Sequence, residues 1–208
     1  IGTDDSTTAS TEDTSLLGLL KTNAPTLLNG LWNTIWITFV SLAIATIIGV
    51  LLGLMRTSRI SILETIATIY IDFMRGIPLI VLTFFIYFGI PQALNIRLDA
   101  TIAAITTLGL NAAAYIAEIV RGGINAIDKG QSEAAMSLGL PYYKSMQKII
   151  LPQAIRLMVP SFINQFVITL KDTSILSIIG LVELTQTGKI IIARNLQSSS
   201  MWLSLIHI

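Results

Sequence analysis

The sequence contains no cysteine and a single histidine, His207. Without cysteine, disulfide frameworks, cysteine-ligated metals and thiolate nucleophiles are excluded. One histidine near the end of the chain also disfavours a histidine-based catalytic triad or a multi-histidine metal site. We therefore expect no catalytic residue and no metal site.

Charged residues are also scarce, since they make up 12% of the 208 residues while 53% are hydrophobic. A soluble domain carries about 25% charged residues, so this composition indicates a protein whose solvent is the lipid bilayer. The net charge of +1 gives no reason to expect a nucleic-acid partner. The chain has no G-x4-G-K-[ST] phosphate-binding motif either, so we do not expect it to hydrolyse ATP.

Four apolar stretches are long enough to cross a membrane, which takes about 20 residues. They cover residues 31–55, 60–90, 101–120 and 151–170. The second is too long for a straight crossing, because as one helix it would span about 46 Å against a hydrocarbon core of about 30 Å. We expect it to break at Arg75-Gly76-Ile77-Pro78, because proline removes a backbone hydrogen bond and disfavours helix before it. Pro91–Asp99 then reads as a loop. The sequence predicts an all-α integral membrane protein with about four complete spans.

The ends of the chain differ from this apolar middle. Residues 1–15 are rich in Thr, Ser, Asp and Glu without apolar periodicity, and we expect a disordered linker there. Residues 203–208 resemble the translated end of a transposase adaptor used in sequencing libraries, so we expect them to be a non-native tail.

Basic residues are concentrated in the connection at 56–59 and in the region 121–156. The positive-inside rule places these regions in the cytoplasm and the N-terminus on the extracytoplasmic side.

A polar stretch between the third and fourth spans has helix-forming residues at 131–138, followed by Gly139. Glycine can adopt the positive φ that ends a helix, and Pro141 suits the first turn of a second short helix. Pro152 is expected to start the next span. The sequence therefore predicts a helix-turn-helix elbow, with a small apolar face made of Ala134, Ala135 and Leu138.

The elbow carries the pattern E-A-A-x3-G-x9-I-x-L-P, from Glu133 to Pro152. This pattern is similar to the signature of a cytoplasmic loop in bacterial ATP-binding-cassette (ABC) importer permeases, and every fixed position is matched. Asp72-Phe73-Met74-Arg75-Gly76-Ile77-Pro78-Leu79 resembles the R-G-x-P-L element of the polar amino acid branch of that family. The stretch 170–184 is similar to the segment after its fourth motif-bearing span. The resemblance covers residues 26–202.

The resemblance implies the type I ABC importer permease fold, whose members have about five spans, so the last span is expected to be truncated here. Residues 16–202 would be the permease domain and 122–150 its cytoplasmic coupling loop. The implied location is the bacterial inner membrane, with several crossings. The implied partners are ABC ATPase subunits, which would hold ATP and Mg, a second permease protomer in a homo- or heterodimer, a substrate-binding protein or fused binding domain, and membrane lipid. The chain itself would bind no cofactor.

Six positions in the elbow are assigned to ATPase coupling by the resemblance: Glu133, Ala134, Ala135, Leu138, Gly139 and Pro152.

Charged groups inside a membrane are costly and face a pathway or a partner. Asp72 and Arg75 share a helix face. They either form a structural ion pair or recognise an amino acid zwitterion, with Arg75 on the carboxylate and Asp72 on the ammonium.

Other polar residues complete the predicted sites. Pro78, Asn164 and Gln165 are further pathway candidates, although Asn164 and Gln165 could instead join helices by hydrogen bonds. The remaining candidates, for a gate or a docking element, are Lys171, Asp172 and Glu183. Lys171 and Asp172 could equally form an ion pair at the helix end. Glu118 is expected to be interfacial.

Two alternatives remain from the sequence. An ion-coupled secondary amino acid carrier would need an inverted repeat and intramembrane carboxylates, and it would leave the elbow unexplained. An ABC permease for another small solute such as methionine would keep the elbow. The element Arg75-Gly76-Ile77-Pro78-Leu79 favours amino acids.

Overall fold

The computed structural model describes residues 16–196 and 198–207, and every regular element in these residues is helical. The α-helices are α1 (Leu16–Arg56), α2 (Ser61–Gly76), α3 (Leu79–Phe84), α4 (Ile90–Leu94), α5 (Ala100–Asn125), α6 (Lys129–Ser137), α7 (Tyr142–Ser145), α8 (Leu151–Asp172), α9 (Leu184–Asn195) and α10 (Ser198–His207). π-Helical turns at Phe85–Gly89 and Met146–Ile150 join α3 to α4 and α7 to α8, and a 3₁₀ helix at Thr173–Ile179 follows α8. The all-α class predicted from the sequence is confirmed.

Three helical stretches in the described part of the chain are long and apolar enough to cross a membrane. They are Gly18–Arg56, Ala100–Asn125 and Tyr142–Ile179. The pair Ser61–Gly76 and Leu79–Leu94 makes a fourth when it is counted as one broken span. About four spans were predicted, and the observed helices agree.

The described residues divide into a core unit, residues 35–181, and a terminal unit, residues 16–34, 182–196 and 198–207. In the core unit α5 packs against both α2 and α8. Its alanines lie at the centre of this packing, and Ala103, Ala113 and Ala117 are fully buried. Gly49 and Gly53 of α1 lie so close to α5 that an added Cβ would come within 2.7 Å and 2.6 Å of it, respectively. Small residues on both sides allow this close approach of helix backbones.

The second span breaks where the sequence predicted. α2 ends at Gly76, Ile77 has extended φ and ψ of −94° and 130°, and α3 begins after Pro78. The two halves meet at an angle of 102°. The break follows from Pro78, because proline disfavours helix at the residue before it and offers no N–H to the ladder.

The loop predicted to start at Pro91 starts later than expected. Pro91 lies inside the helical stretch Leu79–Leu94, directly after the π-turn at Phe85–Gly89, whose wider turn accommodates the proline ring. α4 ends at Leu94, and the φ of 52° at the next residue, Asn95, is left-handed. The loop is therefore confined to residues 95–99.

Pro152 lies in the first turn of α8, as predicted, but the span itself begins earlier in the chain. Helical structure runs without interruption from Tyr142 to Ile179, and Pro152 lies inside it. The π-turn at Met146–Ile150 directly precedes this proline, and Leu151 N–H donates to Met146 O. The wider turn relieves the clash between a proline ring and the preceding turn, so the helix continues through it.

The terminal unit consists of the first part of α1 together with α9 and α10. Leu27, Ile191 and Met201 form its buried apolar cluster. Asn33 Nδ2 donates to Val182 O at 2.9 Å, and Leu184 N–H donates to Thr34 Oγ1 at 3.1 Å. α9 has 12 residues and α10 has 10, so neither alone reaches the length of a membrane span.

Candidate functional site

The elbow predicted between the third and fourth spans consists of α6, a tight turn and α7. α6 begins at Lys129, two residues before the predicted start, because Asp128 caps it. Asp128 Oδ1 accepts a hydrogen bond from Gly130 N–H at 2.7 Å, which satisfies a backbone donor left free at the helix start. The sequence contained this signal, since aspartate is a preferred N-cap residue.

The turn at Gly139 is a Schellman motif. Gly139 has a φ of +82°, Leu140 N–H donates to Ala135 O at 3.1 Å, and Gly139 N–H donates to Met136 O at 2.9 Å. These two bonds satisfy carbonyls that the end of α6 would otherwise leave unpaired. A Cβ built on Gly139 would meet no atom within 4 Å, so the backbone conformation alone requires glycine here.

The apolar face predicted for the elbow is wrong in one member. Leu138 is 84% exposed and Ala134 is exposed as well, but Ala135 is only 2% exposed and packs inward. Residues four apart share a helix face, which unites Ala134 with Leu138 and turns the adjacent Ala135 away. The surface open to a partner therefore contains Glu133, Ala134 and Leu138, and Ala135 holds the elbow to the protein.

The connection between α1 and α2 touches the elbow through a contact that sequence reasoning missed. The Arg59 guanidinium lies 4.2 Å from the centroid of the Tyr142 ring, in the geometry of a cation–π interaction. In the sequence, Arg59 belongs to the basic connection at 56–59, which indicates only the orientation of the chain. The two residues are 83 positions apart in the sequence, so no local pattern indicates the contact.

Glu118 is the centre of an ion network formed by α1, α2 and α5. Arg121 Nη2 lies 2.9 Å from Glu118 Oε2, and Arg121 Nε donates to Oε1 at 3.1 Å. Arg56 forms a close ion pair with Glu118 and lies 3.5 Å from Asp72. Arg75 Nη1 is 3.6 Å from Glu118 Oε2. Glu118 was expected only to be interfacial, and the spacing of Glu118 and Arg121 was the one sequence signal for its pairing.

The ion pair between Asp72 and Arg75, one of the two alternatives from the sequence, does not occur among the described residues. Arg56 of α1 and Glu118 of α5 are the ion partners of these two side chains instead. Asp72 is 60% exposed at its side chain. Neighbouring helices thus supply opposite charges that the spacing within α2 could not reveal.

A cleft of about 570 Å³ lies beside the break in the second span. Its lining includes Arg75, Asn111, Tyr115, Gln165 and Asp172. Pro78 also lines it, together with the backbone around the break. The cleft therefore brings one cation, one carboxylate and two amide side chains together. Asp72, predicted to be the carboxylate of this site, is not part of the lining.

A second cleft of about 540 Å³ lies between α5 and α8. Asn164, Glu118 and Ser161 line it, and Tyr115 and Gln165 belong to both clefts. Gln165 Nε2 donates to Thr169 Oγ1 at 3.2 Å within α8, so this bond does not join two helices. The structure thus places Arg75, Pro78, Asn164 and Gln165 in two clefts that share lining residues.

The residues predicted for a gate or docking element have different environments. Lys171 is exposed, and within the described part of the chain it forms no ion pair with Asp172, which lines the first cleft. Glu183 is 1% exposed and caps α9, accepting hydrogen bonds from Thr185 N–H at 2.7 Å and Gln186 N–H at 2.6 Å. Burial raises the pKa of the Glu183 carboxyl, and these two bonds partly oppose that shift.

No group of three His, Asp or Glu side chains in the described residues could hold a metal ion. The two candidate sites, the first cleft and the elbow, offer charged and apolar groups. The first cleft presents a guanidinium and a carboxylate at the broken span, and the elbow presents an acidic and apolar surface. Neither arrangement contains a nucleophile paired with a base.

The chain has relatives among known proteins. The glutamine transport system permease protein GlnP of Escherichia coli (strain K12) is 42% identical over 179 residues, which cover 86% of this chain and 82% of that protein. The arginine transport system permease protein ArtQ of Bacillus subtilis (strain 168) is 43% identical over 157 residues, covering 76% and 72%. A crystal structure of an amino acid ABC transporter with histidines matches with a TM-score of 0.87 and 34% identity, covering 93% of this chain and 89% of that one.

A family model matches residues 22–208, which is most of the chain. The model describes the inner membrane component of binding-protein-dependent transport systems. Sequence, helical architecture and elbow agree with this match. The chain belongs to the family of binding-protein-dependent transport system inner membrane components.

Proposed function

We propose that this chain is the permease subunit of an ATP-driven ABC importer for polar amino acids. Two permease protomers, identical or homologous, would enclose the pathway, and two cytoplasmic ATPases carrying ATP and Mg would bind the elbows. A substrate-binding protein or fused binding domain would deliver the substrate from outside. The observation that carries the proposal is the elbow, a capped helix and Schellman turn that keep Glu133, Ala134 and Leu138 exposed.

Coupling would use the exposed side of the elbow. Glu133 and Leu138 offer an anionic and an apolar contact to a partner, while the buried Ala135 fixes α6 to the protein. α7 continues through the π-turn and Pro152 into α8 without a break. A displacement of the elbow is therefore passed to a helix that lines both clefts.

Substrate recognition would use the first cleft. Glutamine and arginine, named for the two relatives, share the α-carboxylate and α-ammonium and differ in their side chains. Arg75 and Asp172 supply the complementary charges in one cleft, and Asn111 and Gln165 add hydrogen-bonding groups. Asp172 thus takes the role first assigned to Asp72.

The proposed orientation places the elbow in the cytoplasm and the N-terminus outside. Residues 1–15 would be an extracytoplasmic linker, although they lie outside the described residues. Residues 16–202 would form the permease domain with its coupling loop at 122–150. Lys171 keeps its proposed role as a gate or docking residue because its side chain is exposed.

Uptake into proteoliposomes tests the proposal. The permease, its ATPase and its binding protein would be reconstituted, and uptake of radiolabelled amino acids, including methionine, would be followed with and without ATP. We expect ATP-dependent uptake of polar amino acids that Glu133→Lys abolishes. Gln131→Lys is the matched control, because it places the same charge at an exposed position of α6 outside the motif.

Three outcomes would contradict the proposal or part of it. Uptake that ignores ATP and follows an ion gradient would indicate a secondary carrier. ATP-dependent uptake of methionine alone would keep the transporter class and change the substrate. Equal loss in Gln131→Lys and Glu133→Lys would remove the specific role of the motif.

A further inference from the structure

Arg75 is shared between the ion network and the first cleft. Its guanidinium lies 3.6 Å from Glu118 and 5.5 Å from the centroid of the Tyr115 ring. The same side chain lines the cleft that contains Asp172, and it is 41% exposed. Its guanidinium can therefore interact with Glu118 or with an anion in the cleft.

Glu118 holds Arg75 more loosely than it holds its other partners. Arg121 binds Glu118 through two nitrogens, and Arg56 is in close contact with it, whereas the Arg75 distance is the longest of the three. Glu118 would keep two guanidinium partners without Arg75. Because a partly buried carboxylate is costly only when it is left unpaired, losing Arg75 leaves this carboxylate well compensated.

The charge balance of the network also indicates that Glu118 stays compensated when Arg75 leaves it. Three guanidiniums, those of Arg56, Arg75 and Arg121, face two carboxylates, those of Glu118 and Asp72. Without Arg75 the network contains two charges of each sign. Arg75 is therefore the surplus cation, and a carboxylate that enters the cleft can pair with it.

We propose that Glu118 is a positioning residue that competes with the α-carboxylate of the substrate for Arg75 and so sets the affinity of the cleft. This inference rests on the proposed function, because it takes the substrate to be an amino acid. Glu118 keeps Arg75 paired while the cleft is empty. It also weakens the hold on a bound substrate, which favours release.

The inference is tested by equilibrium binding to the permease–ATPase complex in lipid nanodiscs, without binding protein. The probes are radiolabelled L-glutamine and L-arginine, with the α-amide of each as an unlabelled competitor. Glu118→Gln frees Arg75, so the Kd for the amino acid should fall about two- to fivefold, the range of an exposed ion pair. The inhibition constant of the α-amide, which has no carboxylate, should stay the same.

A variant cycle separates this role from a purely structural one. In an Arg75→Ala background, Glu118→Gln should no longer change the Kd, because the residue through which it acts is gone. Glu118→Asp retracts the carboxylate and weakens the longest pair first, so the Kd should fall in the same direction if Glu118→Gln does not fold. Glu64→Gln is the matched control, since Glu64 is an exposed glutamate of α2 with no ion pair in the described residues.

The outcomes distinguish this inference from the proposed function. Amino acid uptake by the wild type together with an unchanged or higher Kd in both Glu118 variants would overturn the inference alone. So would equal shifts for the amino acid and its α-amide, or a shift that persists in Arg75→Ala. A wild-type system that takes up no amino acid would overturn the proposed function and this inference with it.

Discussion

Gly139 shows how one residue can be required by backbone geometry alone. Its φ of +82° is left-handed, and the space around it is open. A residue with a Cβ costs about 1–2 kcal/mol in this conformation. That strain would be relieved by a different turn, which would re-aim α6 and its exposed Glu133.

We expect Gly139→Val to lower ATP-dependent uptake strongly while the protein still inserts in the membrane. Gly139→Asn should retain most uptake, because asparagine adopts the left-handed conformation more readily. The measurement is uptake per inserted transporter, with amino acid binding to nanodiscs as a check on the cleft. Normal uptake by the valine variant would show that the turn is not needed for coupling.

Single residues were predictable where the signal is local. Gly139 follows a helix-forming segment, and Arg75 and Gln165 are polar groups in apolar stretches, so each stood out in the sequence. Asp72 was assigned to the substrate and Asp172 to a gate or docking element, whereas Asp172 lines the cleft. The sequence could not show this, because the cleft is defined by how α2 and α8 are rotated in the packed structure. Arg56 and Arg75 were hidden as partners of Glu118 for the same reason, since Arg56 is 62 positions away.

At the scale of elements, the connection between α1 and α2 braces the elbow. The contact of Arg59 with Tyr142 joins this connection to the first residue of α7. A cation–π contact at an exposed site contributes about 0.5–1 kcal/mol. The contact is thus strong enough to bias the position of the elbow but too weak to lock it.

We expect Arg59→Gln and Tyr142→Ala each to lower ATP-dependent uptake about two- to fivefold, the rate equivalent of that energy. Tyr142→Phe is the matched control, because it keeps the ring and should keep the uptake. The double variant should be no worse than either single one, since both remove the same contact. Losses that multiply in the double variant would show that the two residues act separately.

Two prolines show what sequence reasoning can and cannot predict about elements. Pro78 breaks its helix as expected, because the restriction acts on the residue next to it. Pro152 lies in the first turn of α8 but does not start a new helix, because the π-turn at Met146–Ile150 directly before it continues the helical structure. A π-turn depends on the packing of its helix, and no residue type in that segment predicts it.

At the scale of the whole molecule, the absence of cysteine makes the topology directly testable. Any introduced cysteine is the only thiol in the chain. Ala93 of α4 and Gln131 of α6 are both exposed, and the proposed orientation puts them on opposite sides of the membrane. They form a matched pair for labelling.

We expect a membrane-impermeant maleimide to label Ala93→Cys from outside in right-side-out spheroplasts, because the proposed orientation exposes this residue there. Gln131→Cys should be labelled only in inside-out vesicles. Uptake by both variants would confirm that the labelled proteins are intact. The opposite labelling pattern would invert the proposed orientation and move the elbow away from cytoplasmic ATP.

The unbroken helix from Tyr142 through Asp172 has a mechanical consequence. At about 1.5 Å per residue it measures about 46 Å along its axis. A tilt of about 5° around its midpoint moves each end by about 2 Å, in opposite directions. Tyr142 marks one end at the elbow and Asp172 the other at the cleft, so under the proposed coupling this helix would act as a lever. A push on the elbow would then change the separation of Asp172 from Arg75 without any local change at the cleft.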